Sequence, residues 1–236
     1  MNTALVGRVL RAVLEREPVD VAAIATALGE PAGDVEASVG ALADAGLVAA
    51  AGPGWRAGPV IVTYARREAL VDAAGPVLRR LAEESGETAN LVLPRAVGTE
   101  AIAQHDGRHL LGATNWVGRE LPLHCTAAGK LFLAFGATTL PEGELAACTA
   151  ATIVDRSALE RELDAVREQG YATLVDELED GLSVVGAPVR DAGGTVVAAL
   201  TVAGATLRLP PARLRLLGRV TLEQAAVLAG AIRAPL

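Results

Sequence analysis

The sequence has 236 residues, is 51% hydrophobic and carries a formal net charge of −7. This length accommodates two modest domains, and no apolar run approaches the roughly 20 residues that a membrane-spanning helix needs. The acidic balance argues against a nonspecific nucleic-acid binder and two cysteines make no disulfide framework, so we expect a cytoplasmic protein with reduced thiols and no membrane contact.

Residues 1–58 predict three short helices followed by a β-hairpin. Apolar residues between Leu5 and Leu14 recur at helical spacing, which indicates the first helix. Asp20 and Gly29 are typical caps of a second helix, and Gly52-Pro53-Gly54 is a turn between two short strands. Three helices and a hairpin in this order are typical of a winged helix-turn-helix, a DNA-binding fold.

Residues 59–75 predict a linker helix that ends where Gly75-Pro76 interrupts the pattern, before another helix reaches Ser85. Farther along the chain, short apolar segments bounded by turn residues indicate strands. They are predicted at 89–93, 99–104, 110–115, 171–175, 182–189 and 195–203.

Helices separate these strands at intervals. They are expected at Thr126–Phe135, from Pro141 to about Cys148, from a capping box at Ser157–Glu160 to Gly170, and after Pro210-Pro211. In the last helix, Val227 is among the residues predicted to face inward. Strands joined by tight turns, with helices between some of them, indicate an α+β domain with an antiparallel sheet over residues 76–236.

The stretch from Leu121 to Ala134 is the most informative part of the sequence. It predicts a strand end that turns directly into a helix whose first residues, Ala127, Ala128 and Gly129, are small. Their backbone N–H groups lack partners within the helix and lie at the positive end of its dipole, so this turn suits an anion such as a carboxylate. The alternative is that these small residues only allow the helix to pack tightly.

Several separated segments carry a resemblance to a known family. They are residues 81–89 (LAEESGETA), 121–134 (LPLHCTAAGKLFLA), 168–172 (EQGYA), Glu177 four residues before Gly181, 187–189 (APV) and 199–204 (ALTVAG). In this order they resemble the IclR family of bacterial transcriptional regulators. The resemblance implies a winged helix-turn-helix DNA-binding domain at 1–58, a linker helix at 59–75 and an effector-binding domain similar to GAF domains at 76–236.

The resemblance also implies which residues line a ligand pocket. By position these are His124, Cys125, Ala127, Ala128, Gly129, Leu182, Val184, Thr201 and Ala203. Leu182, Val184 and Ala203 are also typical of plain core, whereas a buried Thr201 hydroxyl needs a hydrogen-bond partner. His124 either donates to a ligand carboxylate or bonds to backbone.

Other side chains raise further alternatives. No second ligand accompanies His124 at metal-binding spacing, so we expect neither a metal ion nor a cofactor. Asp176 and Glu177 resemble paired carboxylates, or else belong to a solvated acidic turn. Trp116 and His105 are placed near the cavity mouth, where an indole would favour flat or apolar ligands or serve only packing.

Few residues are available for DNA contact. Residues 1–62 hold four arginines against seven acidic residues, and the third helix has Asp34 where the family usually has Thr or Ser, and Ala37 where it usually has Arg. Phosphate contacts normally need Lys or Arg. The DNA-binding candidates are Arg8 and Arg11 on the first helix, Ser38 on the third helix and Arg56 in the wing.

Three functional hypotheses follow. The leading one is a dimeric or tetrameric transcriptional regulator that binds operator DNA and responds to a small organic acid or aromatic metabolite. The second is a ligand sensor with a degenerate winged helix that acts through a protein partner. The third, an enzyme using His124, Cys125 and Lys130, lacks a base within reach of a nucleophile, so we expect no catalytic residues.

Overall fold

The computed structural model describes residues 3–109 and 114–232. The chain divides into two compact units, Met1–Ala69 and Leu70–Leu236. Among the described residues, no helix is both long enough and apolar enough to cross a bilayer.

The first unit contains three helices and an antiparallel hairpin. The elements are α1 (Thr3–Arg16), α2 (Val21–Leu28), α3 (Ala32–Asp44), β1 (Val48–Ala51) and β2 (Gly54–Ala57). The predicted caps of α2 are confirmed: the Asp20 carboxylate accepts a hydrogen bond from Ala23 N at 2.7 Å, and Gly29 ends the helix with a φ of 68°. Apolar residues from all three helices and from β1 form one core, including Val9, Ile24, Val39 and Val48.

Helix α4 (Pro59–Ser85) is a single helix of 27 residues that contains Pro76. The prediction that Gly75-Pro76 breaks it is therefore wrong. A proline inside a helix costs about 3 kcal/mol because it removes a hydrogen bond and crowds the preceding turn. The buried residues Val77, Leu78 and Leu81 outweigh that cost, since full burial of each such side chain contributes about 1.5–3 kcal/mol.

The second unit is built on a six-stranded antiparallel sheet, which confirms the predicted α+β class. The spatial order of the strands is β5-β4-β3-β8-β7-β6. Their bounds are β3 (Thr88–Pro94), β4 (Gly98–His105), β5 (Glu120–Pro122), β6 (Ala172–Val175), β7 (Leu182–Arg190) and β8 (Val196–Ala205).

Two hydrophobic clusters involve the two sheet faces. Residues 70–82 of α4 and helix α7 (Pro211–Ala231) pack with one set of strand residues, including Leu91, Leu200 and Val202. Helices α5 (Ala127–Ala134) and α6 (Arg156–Gln169) pack with the alternate set, including Val92 and Ala203. Because side chains alternate along a strand, β3 and β8 contribute to both clusters.

Three other local predictions are wrong. No helix forms between Pro141 and Cys148, where the Arg156 guanidinium binds the carbonyls of Pro141 and Gly143. The cap of α6 is Asp155, whose carboxylate accepts from Ala158 N at 2.7 Å, so the helix begins before the predicted capping box. Val227 on α7 is 57% exposed. The predicted strand at 110–115 lies largely outside the described residues.

Candidate functional site

Helix α5 begins at a side-chain cap. The Thr126 hydroxyl accepts a hydrogen bond from Gly129 N at 3.1 Å and donates one to Pro122 O at 2.8 Å. Thr126 has the extended backbone of an N-cap residue. Because β5 ends at Pro122, this hydroxyl joins the last residue of a strand to the first turn of the helix and holds the helix N-terminus in place.

Gly129 serves packing. A Cβ atom at this position would lie 2.1 Å from Leu123 O, so only glycine fits between α5 and the segment before it. Its N–H is already bonded to Thr126. Gly129 therefore offers no free amide to a ligand, and for this residue the tight-packing alternative is correct.

A cavity lies beside the first turn of α5. It holds about 490 Å³ of space free of protein atoms, a figure that includes the open solvent at its mouth. Ala127 and Ala128 line it, and within the described part of the chain their backbone N–H groups make no hydrogen bond. The cavity thus borders residues with two free donors at the positive end of a helix.

Most of the predicted effector residues come together here. The structure brings six of the nine to the cavity wall, namely Ala127, Ala128, Leu182, Val184, Thr201 and Ala203. Trp116 also lines the cavity. The six residues come from α5, β7 and β8. The antiparallel register of β7 and β8 places Val184 directly opposite Ala203, although α5 is distant from both strands in the sequence. His105, predicted near the mouth, is not part of this lining.

His124 and Cys125 are buried but are not part of the cavity lining. The His124 ring nitrogen Nε2 is 2.9 Å from Ala146 O, and the side chain is buried. The Cys125 side chain is fully buried, with its sulfur beside that of Cys148. The prediction that these two residues line the cavity is wrong, because neither belongs to its lining and their side chains contact Ala146 O and Cys148 instead.

Two polar residues of the cavity were missed by the sequence analysis. Asn90 pairs with Thr201 across β3 and β8, and Thr99 reaches the cavity from β4. Asn90 is 4% exposed, and its Oδ1 atom has no hydrogen-bond partner among the described residues. An unpaired buried carbonyl oxygen is unfavourable, so Asn90 is suited to accept a hydrogen bond from a guest. The sequence showed the strand at 89–93 but not which of its faces borders a cavity.

The rest of the lining is apolar. The described lining residues include no charged side chain, and the remainder are Val92, Ala101, Leu121, Leu174 and Leu178, with Thr126 as the cap. Polar contacts to a guest are therefore confined to backbone N–H groups, the Asn90 amide and threonine hydroxyls. This composition suits a small molecule with one polar end and a short apolar or flat body.

Beyond the first turn, α5 carries a buried ion pair. Lys130 is fully buried, and its ammonium donates to Glu177 Oε1 at 2.6 Å, Glu162 Oε1 at 3.1 Å and Thr173 O at 3.2 Å. Glu177 is 8% exposed, so the solvated-turn alternative is wrong for this residue. Burial raises the pKa of Glu177 although Lys130 acts against the shift.

The side chains proposed for an enzyme do not form catalytic machinery. Burial, and then the hydrogen bond with Cys148, raise the pKa of Cys125 to about 12, so its thiol is not an activated nucleophile. Lys130 is held by two carboxylates and a carbonyl, and His124 is bonded to backbone. Over residues 3–109 and 114–232, no group of three or more His, Cys, Asp or Glu side chains is arranged to hold a metal ion.

The DNA-binding candidates lie in the first unit with different surroundings. Arg11 and Arg56 are exposed. The Arg8 guanidinium donates to Glu30 Oε1 at 2.7 Å and to Leu28 O at 2.8 Å, although its side chain stays 48% exposed. Ser38 is 2% exposed and donates to Asp34 O at 2.8 Å, so the prediction that it contacts DNA is wrong.

Comparison with known proteins identifies a family. Residues 62–227 match the family model described as the bacterial transcriptional regulator IclR C-terminal domain. The HTH-type transcriptional regulator BhcR of Paracoccus denitrificans is 33% identical over 72% of this chain and 64% of its own length. The HTH-type transcriptional repressor AllR of Klebsiella pneumoniae is 33% identical over 69% of this chain and 61% of its own length. The match thus spans less than two thirds of these curated relatives.

A solved structure shares the fold. The Thermotoga maritima IclR structure superposes with a TM-score of 0.64 at 24% identity and covers 96% of each chain. The likeness is therefore not confined to the sheet-containing unit that holds the cavity.

Proposed function

Because this chain belongs to the IclR family of bacterial transcriptional regulators, we propose that it is a ligand-responsive transcriptional regulator. In this proposal the cavity of the second unit binds a small organic acid or an aromatic metabolite. The first unit binds operator DNA, and ligand occupancy changes that DNA affinity. The named relatives are transcriptional regulators and repressors rather than enzymes, which supports this choice.

One observation carries the proposal: the first turn of α5 meets a cavity with two unpaired N–H groups and a lining that is apolar apart from Asn90 and three threonines. A carboxylate at a helix N-terminus gains from hydrogen bonds and from the helix dipole. The body of the ligand would contact Trp116, Leu178 and Val184. A carboxylate on a short aliphatic or flat ring body fits both requirements.

The DNA side of the proposal rests on few cations. Arg11 and Arg56 are the exposed candidates, with Arg8 partly engaged by Glu30. A monomer with so few phosphate contacts binds weakly, so we propose a cytoplasmic homodimer or homotetramer that places two first units on a palindromic operator. A ligand acts on such an assembly only through different affinities for its DNA-binding and non-binding arrangements.

The test is a binding titration on DNA from immediately upstream of the gene, with fluorescence anisotropy as the readout and a shuffled duplex as control. We expect preference for the natural duplex and a change in Kd when one of a panel of small carboxylic and aromatic acids is added. Arg11→Ala and Arg56→Ala should each reduce the slope of log Kd against the logarithm of the salt concentration by about 1. Arg219→Ala on α7 should leave this slope unchanged. Equal affinity for both duplexes at low salt, with and without acids, would contradict the proposal.

A second candidate function is favoured by the surface of α3. Asp34 and Glu36 are exposed there, and Ser38 is buried, so this helix presents acidic groups where phosphate or guanine contacts need cations. In that alternative the chain is a ligand sensor that acts through a protein partner. The Asp34→Thr, Ala37→Arg double variant should then gain DNA affinity that the natural chain lacks, whereas a natural chain that already binds specifically would rule the alternative out.

A further inference from the structure

Two cysteines distant in sequence lie side by side. Cys125 Sγ is 3.5 Å from Cys148 Sγ, which is van der Waals contact and has the range of a weak thiol hydrogen bond. Cys125 is fixed between β5 and α5 and is fully buried, whereas Cys148 is exposed. Residues 136–155 contain no helix or strand, so the Cys148 backbone is not held in a regular element.

The two thiols differ in their access to solutes. An oxidant dissolved in water reaches Cys148, since that residue is exposed. Cys125 cannot be the first thiol to react, because burial and the neighbouring Cys148 raise its pKa to about 12 and leave almost no thiolate near neutral pH. The pair therefore has an accessible first sulfur and a shielded second sulfur in contact with it, which is the arrangement of a sensing and a resolving thiol.

We propose that Cys125 and Cys148 form a reversible intramolecular disulfide when the protein meets a hydroperoxide. The Cys148 thiolate attacks one peroxide oxygen, an S–O bond forms, the O–O bond breaks, and the released oxygen leaves as water or an alcohol. The Cys125 proton then passes to the sulfenic hydroxyl of Cys148 as the Cys125 sulfur attacks Cys148 Sγ, so an S–S bond replaces the S–O bond and the hydroxyl leaves as water. Two thiols lose two electrons in total, and one peroxide is reduced. A dithiol restores both thiols by exchange.

The pair is placed to affect the cavity. Cys125 directly precedes Thr126, whose hydroxyl caps α5, and Ala127 and Ala128 line the cavity. A disulfide requires the sulfurs to approach to about 2.05 Å, so one of the two segments must move. Gly129 fixes α5 against Leu123 on one side. On the other side, Cys148 N donates to the Thr152 hydroxyl, which in turn donates to Glu177 O, so closing the disulfide must displace contacts of one of the two segments.

The test is intact mass spectrometry of the full chain after graded treatment with hydrogen peroxide, followed by maleimide labelling under denaturing conditions. We expect a product lighter by two hydrogen atoms, with no thiol left to label, that runs as a single chain on a non-reducing gel and regains both thiols with dithiothreitol. Cys125→Ala should leave a Cys148 sulfenic acid that dimedone traps. Cys148→Ser should keep the Cys125 thiol unreacted in the native protein.

Two outcomes would overturn the inference in the wild-type chain itself, whether or not the variants fold. One is conversion of Cys148 to sulfinic or sulfonic acid while Cys125 stays a thiol. The other is a disulfide that forms only between two chains. Neither outcome bears on effector or DNA binding, so the redox proposal fails separately from the proposed function.

Discussion

The Lys130 ammonium lies 2.6 Å from the Glu177 carboxylate, and the two side chains are 0% and 10% exposed. Lys130 follows directly after the three small residues that open α5, and Glu177 lies between β6 and β7. The ion pair thus joins the helix beside the cavity to the edge of the sheet. Charges this deeply buried are tolerated only in pairs, so each partner depends on the other.

Replacing Lys130 with Met should lower the free energy of unfolding by about 3 to 5 kcal/mol, because Glu177 is left as an unpaired buried acid. Urea denaturation followed by circular dichroism measures the change. Glu162→Gln is the matched control, since Glu162 contacts the same ammonium but is 31% exposed, and it should cost about 1 kcal/mol or less. A Lys130→Met loss no larger than that of the control would show that the pair contributes little.

Stability should depend on pH through Glu177. Burial raises the pKa of this carboxyl above its ordinary 4.5 although Lys130 opposes the shift, so the folded chain holds the proton more tightly than the unfolded chain. The stability that this tighter proton binding contributes is fully present below the pKa of Glu177 in the unfolded chain. It is lost as the pH rises through the pKa of Glu177 in the folded chain.

Measured by urea unfolding between about pH 4 and pH 7, where carboxyl groups titrate, wild type should therefore lose stability relative to Glu177→Gln as pH rises. The non-titrating glutamine variant removes the contributions of all other groups from the difference. If the free energy of unfolding of wild type instead rises relative to that of Glu177→Gln over this range, the attraction of Lys130 for the Glu177 carboxylate exceeds the cost of burying that charge.

Gly129→Ala should destabilise the second unit by about 1–3 kcal/mol or more, because its Cβ would lie 2.1 Å from Leu123 O. Gly230→Ala provides the matched control. It makes the same change within helix α7 at a position with no atom within 4 Å of the new Cβ, and should stabilise by about 0.5–1 kcal/mol. Thermal and urea unfolding compare the two. Similar effects at both positions would mean that α5 is free to move away from Leu123.

Filling the cavity should weaken ligand binding without unfolding the protein. Ala203→Leu adds three carbons to the cavity wall, and overpacking of about 1–3 kcal/mol in the complex with the acid corresponds to roughly a 5- to 150-fold loss of acid affinity. Ala205→Leu makes the same change two residues along β8, outside the cavity lining, and should retain binding.

Trp116 provides the readout for this comparison because it lines the cavity, and Trp55→Phe removes the other tryptophan. Each variant is made in the Trp55→Phe chain and titrated with the acid found to change DNA binding. Equal quenching of Ala203→Leu and Ala205→Leu would place the ligand elsewhere.

Local signals predicted much of the fold. Asp20 and Gly29 cap α2 as expected, and five strands of the sheet, β3, β4, β6, β7 and β8, lie close to their predicted bounds. The failures arose where tertiary contacts outweighed local preference. Burial of Val77, Leu78 and Leu81 carries α4 through Pro76, and the Arg156 side chain takes carbonyls that a helix after Pro141 would have used.

The candidate site was predictable only in part, for a similar reason. The small residues at 127 and 128 indicated a helix N-terminus open to a guest, and the structure places both on the cavity. Asn90 and Thr99 were missed because their roles depend on which face of β3 and β4 meets α5, and short apolar strands do not reveal that. Gly129 was misassigned because its neighbour across the turn, Leu123 O, is visible only in three dimensions.

The most direct test of the central claim is reciprocal binding. In the Trp55→Phe chain, the acid that alters DNA affinity is titrated against Trp116 fluorescence, once with the protein alone and once with saturating upstream DNA. Linkage requires the acid's Kd to change by the same factor by which the acid changes the Kd for DNA, typically about 5- to 150-fold. We predict equal factors in the two titrations; an acid that binds the cavity with the same Kd in the presence and absence of DNA would contradict the account.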